Sequence, residues 1–379
     1  MERPVTALTT RIGVQDDGAA GIAAAVARRA AAAAGLPAAL ADRAAECAGA
    51  LARALAAQQL SGAVYIQPPA LRPGLDILAV GSGPQPRDTH RPSGAAPAGG
   101  LGMDGLGPGV SAGGGAAPWP GGPAPGDLRS VRGLADHFLL RSVPGRGAAA
   151  CARLSPRAGG ADEAEGTGEA PGEPPEGRAA PPPDAGSVRL PAEGETSCGD
   201  AWALDTSPDG GTVTALVADG LGHGPAAAEA ADRAVDAFRG SPGLPLPQLM
   251  RAVHAALRST RGAAVGLLRR TADDAVEHCA VGNVRACVVG HDGVRHRFGA
   301  QPGVVGWNMP APTAHRLPDA DGGTLLMHSD GVEGDWARQP LPGLTALPAP
   351  LLAVVLAHHH RAVRDDVTVL AVGPVRRRP

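Results

Sequence analysis

The stretch SPRAGGADEAEGTGEAPGEPPEGRAAPPPDAGS, residues 155–187, holds almost nothing that a core could bury. It is acidic and dense in Pro and Gly, so it has too little apolar surface to offset the entropy of ordering it. A second run of similar character, GGLGMDGLGPGVSAGGGAAPWPGGPAPG, lies within residues 86–126. Gly (55) and Pro (38) approach a quarter of the 379 residues, a share that predicts long unstructured stretches. These runs set the organisation. An N-terminal unit spans 1–154 and carries an insertion at about 86–126; a linker covers 155–187; a C-terminal unit covers 188–376. Hydrophobic residues are 44% of the chain but aromatics only 2%, so the cores must be packed from Ala, Val and Leu.

Charge excludes some partners. The formal net charge is −3, there is no lysine, and the only basic cluster is Arg376, Arg377 and Arg378. Nucleic-acid binding is therefore disfavoured. Five cysteines (Cys47, Cys151, Cys198, Cys279 and Cys287) form no C-x-x-C pair. An odd, scattered set points to structural thiols in a reducing compartment. No signal-like N-terminus is present, and no apolar run reaches the ~18 residues that span a bilayer. The expected location is the cytoplasm, away from membranes.

In the N-terminal unit, Ala19 to Gly35 and Ala38 to Gln59 are rich in alanine, the strongest helix former. GAVYIQ and LDILAV follow with strand composition. After the insertion come a short helix, LRSVRGLADHF, and one or two strands, the final one GAAACARL. This order predicts an α+β layer with helices on one face of a sheet.

The C-terminal unit reads as strands: DAWALDT, TVTALVAD, AAVGLLRR, EHCAVG, RACVVG, VRHRF, TLLMHSD and DVTVLAVG. Helices are expected at Ala226–Phe238, Leu246–Ser259 and Ala349–His360. Gly282–Asn283 reads as a tight hairpin between two strands, which would place Cys279 and Cys287 across from each other. The expected system is mostly antiparallel, with helices outside.

Carboxylates punctuate these strands. Asp200 opens one, Asp219 and Asp330 each close one, and the Asp365–Asp366 pair opens the last. A single such Asp is ordinarily a turn former or a cap. Four at the rims of apolar strands must be neutralised, protonated or bridged by a cation if they meet. Oxygen ligands without His or Cys suit Mg²⁺ or Mn²⁺. Gly220 would let a backbone carbonyl approach the same ion. Gly222 and Gly224 would permit a tight turn into a helix whose N-terminus favours an anion. His358, His359 and His360 point in different directions on a helix and read as a solvated helix end.

The stretches SCGDAW, VADGLGHG, MHSDG and RDDVTV resemble the metal-dependent protein phosphatases of the PPM (2C) type, in particular the bacterial SpoIIE-like branch. The resemblance implies an αββα sandwich and two Mg²⁺ or Mn²⁺ ions held by Asp200, Asp219, the Gly220 carbonyl, Asp330 and Asp365. Asp366 is the member of its pair that the family does not use. It further implies in-line attack on phosphorus without a covalent phosphoenzyme, with Asp219 at the reacting centre. His223 is the candidate proton donor to the departing oxygen. The eukaryotic relatives carry their His directly after the Asp-Gly pair, where this chain has Leu221, so His223 also reads as a loop or helix-cap residue. Arg285 and Arg364 are the candidates for holding phosphate.

The N-terminal unit resembles, more distantly, the RsbT-type anti-sigma-factor kinases of the GHKL ATPase superfamily. Its two long helices, SGAVYIQ, GSGPQPRD and LADHFLLRSVPGRGAAACARL carry the likeness. The family's helix Glu and Asn fall here at Ala50 and Ala54, its adenine-reading Asp at Gly81, and a lid glycine at Gln85. Those departures remove the Mg²⁺ bridge and the adenine acceptor. The expectation is a pseudo-kinase that docks a partner or the phosphatase without turning over ATP, with Glu46 a solvent-facing helix charge.

The leading expectation is a serine/threonine protein phosphatase. The resemblance implies a phosphorylated STAS-type anti-sigma-factor antagonist as its substrate, in a partner-switching circuit. A rival from another class is a non-catalytic docking scaffold of a sigma-regulatory complex. A third, an active anti-sigma kinase, is opposed by Ala54 and Gly81.

Overall fold

The computed structural model describes residues 8–57, 61–82, 125–143, 147–156, 184–338, 340–341 and 343–374. The insertion expected at 86–126 and the linker expected over 155–187 lie almost wholly outside these residues, as does Gln85.

The N-terminal unit runs β1 (Thr10–Val14), α1 (Gly18–Ala33), α2 (Ala38–Ala56), β2 (Ser61–Gln67), β3 (Leu75–Ser82), α3 (Pro125–Leu134), β4 (His137–Val143) and β5 (Gly147–Leu154). Its five strands form one antiparallel sheet in the order β1-β2-β3-β5-β4. The alanine-rich helices lie on one face. Ala23, Ala27 and Ala31 of α1 share a buried cluster with Ala44, Ala48 and Leu51 of α2 and with Ile77 and Ala150 of the sheet. Two local expectations need correction. TRIGV is a strand at the sheet edge, and the short helix stops at Leu134, so His137 and Phe138 begin β4 instead of ending a helix. The β-rich run HFLLRSV pairs along its whole length with β5, which outweighs its helical prelude.

The C-terminal unit runs β6 (Ala185–Leu190), β7 (Asp200–Thr206), β8 (Val213–Gly220), α4 (Pro225–Gly240), α5 (Leu246–Leu257), β9 (Ala263–Arg270), β10 (Val276–Val281), β11 (Arg285–Gly290), β12 (Gly293–Phe298), β13 (His315–Leu317), β14 (Thr324–His328), α6 (Ala349–His360) and β15 (Val367–Val372). Two five-stranded sheets result, β13-β10-β9-β8-β7 and β12-β11-β14-β15-β6. Their inner faces share a core that includes Trp202, Val217, Leu268, Val288, Met327 and Leu370. Helices α4 and α5 cover the outer face of the first sheet through Val235, Phe238, Leu249 and Met250. Helix α6 covers the outer face of the second, so the layers run helix, sheet, sheet, helix.

Helix α6 is apolar on every side, and nine consecutive residues, Ala349 to Ala357, are buried. Such a helix must be enclosed all round. The N-terminal sheet encloses it: Tyr65, Leu78, Val80, Ala149 and Cys151 join Leu351, Leu352, Val355 and Leu356 in one cluster. The two units are also stitched by backbone. Thr9 N–H donates to the Arg189 carbonyl at 2.9 Å, and Arg189 N–H returns a bond to Thr9 Oγ1 at 3.0 Å. Thr9 Oγ1 in turn donates to Gln67 Oε1 at 2.7 Å.

The same arrangement corrects the reading of His358 to His360 as solvated. His358 is held between Tyr65 Oη (2.8 Å) and Ser82 Oγ (2.9 Å), and burial pushes its imidazole down to about 3. Gly282–Asn283 is not a hairpin turn. Strand β10 already has β9 and β13 on its two edges, so the chain crosses to the opposite sheet, where β11 lies between β12 and β14. Cys279 and Cys287 therefore sit in different sheets; all five cysteines are buried free thiols. Strand β6 starts at Ala185, inside the stretch expected as linker, because Ala185–Leu190 pairs in full with β15. No helix among the described residues is long and apolar enough to cross a membrane.

Candidate metal and phosphoryl site

Antiparallel neighbours begin and end at a shared edge, and this brings the acidic residues together. Asp200, the first residue of β7, is the cross-strand partner of Asp219 in β8. Asp330 follows β14 and Asp365 precedes β15, which is the neighbour of β14 in the facing sheet. Gly331 allows the last two turns to close on each other: a Cβ there would lie 1.9 Å from the Asp366 carbonyl oxygen.

Electrostatics record the crowding. Asp200 is 1% exposed, and burial pushes its carboxyl up to about 7; Asp366, Asp330 and Asp365 add to the rise, against a hydrogen bond from Ser329. Burial, then Asp200 and Asp330, pushes Asp219 up to about 9. Asp330 stands close enough to Asp219 to add to that rise. Asp365 is raised by burial and by Asp330. As they stand, no three His, Cys, Asp or Glu side chains among the described residues form a metal-holding group. The mutual repulsion of the carboxylates is a cost that protons could relieve. A divalent cation would relieve it at neutral pH without them, so the donor set fits a hard ion.

Several residues that hold the carboxylates were not visible in the sequence. Ser329 Oγ donates to Asp200 Oδ2 at 2.6 Å and accepts from Thr368 N–H at 2.9 Å. Asn283 Nδ2 donates to Asp330 Oδ2 at 2.5 Å. Arg189, 4% exposed, donates through Nε to the Asp200 carbonyl at 2.5 Å and through Nη2 to the Cys198 carbonyl at 3.1 Å. Asp366 is engaged elsewhere: its oxygens accept from Ala192 N–H and Gly199 N–H, each at 2.8 Å. Trp336 Nε1 donates to His328 Nε2 at 3.3 Å, while His328 Nδ1 bonds the Ser329 carbonyl at 2.8 Å. That pairing fixes a neutral imidazole directly behind the site. The one sequence signal for this support is that Ser329 and Asn283 flank the acidic and glycine punctuation.

Gly220 has a second reason to lack a side chain, since a Cβ would lie 2.2 Å from the Ala227 carbonyl oxygen of α4. Gly222 and Gly224 both take left-handed backbone, and α4 starts at Pro225. His223 lies in this turn with its side chain 66% exposed, its Nδ1 3.0 Å from Glu195 Oε1, and its charge reaching Asp365. Glu195 lies in a loop and carried no sequence signal. Arg364 is exposed, and Arg285 lines a cavity beside Asn283.

A mixed sandwich of two antiparallel sheets, with carboxylates gathered at one end, is thus the class of molecule this unit represents. Bacterial PP2C-type serine phosphatases are among its structural neighbours, over about half of the chain. The chain is similar to one from the bacterial stressosome, a modular system adapted to control secondary messenger signalling, at 30% identity over 50% of this chain and 98% of that one (TM-score 0.46). It is similar to RsbX in complex with magnesium at 20% identity, over 50% of this chain and 93% of the other (TM-score 0.43). It is similar to the PP2C phosphatase domain and regulatory fragment of SpoIIE from Bacillus subtilis at 16% identity, over 65% and 73% (TM-score 0.43). No protein-family model and no curated protein sequence matches it.

Proposed function

We propose that residues 184–374 form a metal-dependent phosphoserine/phosphothreonine phosphatase. The observation that supports it most is the meeting of Asp200, Asp219, Asp330 and Asp365, drawn from four distant strand ends into one crowded, partly buried edge. A scaffold gains nothing from such crowding, which is costly unless it is compensated. These four side chains and the Gly220 carbonyl would hold two Mg²⁺ or Mn²⁺ ions. Such ions supply Lewis-acid polarisation of the phosphoryl oxygens and activation of the attacking water.

The chain's own residues do the rest. Ser329 and Arg189 fix Asp200 from its side chain and its carbonyl, and Asn283 orients Asp330. Asp366 pins the loop before β7, so that Asp200 enters the site at the start of its strand. His223, with Glu195 on Nδ1, presents Nε2 as the donor to the departing serine or threonine oxygen. In this reading the substrate is a phosphorylated regulatory protein of STAS type in a partner-switching pathway. The N-terminal unit acts as a degenerate kinase-like module without turnover of ATP. Ala50 and Ala54, which replace the nucleotide-serving residues, are packed at 0% and 1% exposure, and Glu46 is exposed.

The test is hydrolysis of p-nitrophenyl phosphate with and without Mn²⁺. Metal-dependent turnover that Asp219→Asn or Asp330→Asn abolishes is expected. Equal residual activity in all three proteins would assign the unit to a scaffold.

A further inference from the structure

A cavity of about 290 Å³ opens beside the carboxylate edge, between β11, β12 and the short turn of helix at Gly334–Ala337. Arg285 and Arg297 line it, with Asn283, Phe298, His328 and Trp336. Its charge is one-sided. No Asp or Glu lines it. Arg297 uses Nη2 on the Ala337 carbonyl at 2.6 Å, and Asp335, the acid in that helical turn, is paired with Arg338 at 2.5 Å. Arg285 is exposed and makes no hydrogen bond or ion pair among the described residues. A guanidinium fork with open donors matches a carboxylate or phosphate in bidentate fashion. The Phe298 and Trp336 walls suit the methylenes of a side chain.

Its position identifies the occupant. Asn283 belongs to the cavity wall and also holds Asp330. Arg285 is paired in register with His328, two residues before Asp330. Two residues along a strand is roughly 7 Å. A phosphoresidue over the carboxylate edge would therefore carry its neighbour, one or two positions along an extended segment, to the cavity mouth. We propose that this cavity is a specificity subsite that receives an acidic side chain of the phosphoprotein substrate, flanking the phosphorylated residue; the assignment rests on the phosphatase reading above. The subsite gives the enzyme a preference that the metal edge alone cannot supply, because the edge responds only to the phosphoryl group. It favours acidic flanks by attraction to Arg285 and disfavours basic flanks by repulsion.

The experiment uses the full chain with Mn²⁺ and fluorescent peptides that carry a hydrolysis-resistant phosphonate in place of phosphoserine. One peptide has Glu at the two flanking positions, the other Lys. Anisotropy should show the Glu peptide bound at least about tenfold more tightly, and Arg285→Glu should erase or reverse that order. Arg285 is exposed, so the charge reversal leaves the fold intact, as far-UV circular dichroism will show. Equal binding of both peptides by wild type, or a preference that survives Arg285→Glu, overturns the proposal. Inorganic phosphate provides the other arm. If it raises the melting temperature of metal-free wild type but not of Arg285→Glu, and the peptides show no flank preference, the cavity is a phosphate site and the proposal falls. Phosphate release from the hydrolysable twins of the peptides separates the two readings. Flank-dependent binding without release would retire the phosphatase and keep the subsite.

Discussion

Asp365 and Asp366 are adjacent, identical in chemistry and opposite in environment. Asp366 accepts two backbone N–H bonds in a buried turn, while Asp365 faces the other carboxylates. Asp366→Asn should therefore cost stability, on the order of 1–3 kcal/mol, by leaving one N–H without its acceptor. Asp365→Asn should cost little stability and abolish metal-dependent turnover; urea denaturation and p-nitrophenyl phosphate assays read the two effects apart. A second prediction concerns His278, which is wholly buried, stacks on Phe298 at 4.9 Å, and has no hydrogen-bond partner for either ring nitrogen among the described residues. Burial pushes it from 6.5 down to about 4. It is neutral when folded at pH values where the unfolded chain takes up a proton. Its contribution is complete above pH 6.5 and is lost as pH falls toward 4. Asp219 works the other way: its folded carboxyl keeps a proton below about 9, so acid strengthens its contribution. The difference between wild type and His278→Phe isolates the histidine. Urea midpoints should show wild type losing more stability than the variant as pH falls from 6.5 toward 4. The convergence of the four aspartates on one edge was legible in the sequence because each ends or begins an apolar run. Glu195 and Asn283 were not, since a polar residue in a loop looks alike whether or not it holds His223 or Asp330. His358 was misread because three consecutive histidines look hydrophilic until a second sheet covers them.

At the scale of elements, most of the longer strands and all six helices follow from apolar period, glycine punctuation and alanine content, with α3 ending at Leu134 and not Phe138. Strands β1, β6 and β13 escaped notice because they are short and lie beside polar or proline-rich chain, so that pairing and not local pattern makes them strands. Gly282–Asn283 misled for a related reason. A turn signal shows that the chain bends, but not whether the next strand pairs back or crosses to another sheet. Helix α6 was placed correctly by its composition, yet only its surroundings explain why no face of it is polar. Leu352 is fully buried in the cluster that joins α6 to both neighbouring sheets. Leu352→Ala should cost about 2–5 kcal/mol. It should lower the protease resistance of both units together, and limited proteolysis followed by mass mapping will show whether one or both become susceptible.

For the whole molecule, the two units behave as one body because α6 is a shared layer and the Thr9, Arg189 and Gln67 hydrogen bonds close the seam. A fragment limited to residues 184–374 would bare the outward side of α6. Size-exclusion chromatography should show it self-associating, and co-expression of residues 1–156 should return it to a one-to-one complex; a soluble, monomeric fragment would contradict the shared layer. The distance in sequence between the N-terminal sheet and α6 also bears on biosynthesis. The N-terminal sheet leaves the ribosome long before the helix that covers it, with roughly 200 residues still to be translated, about 10–40 s at ordinary elongation rates. Through that interval the nascent protein must carry an uncovered apolar sheet, which makes it a natural client for holding chaperones until α6 arrives.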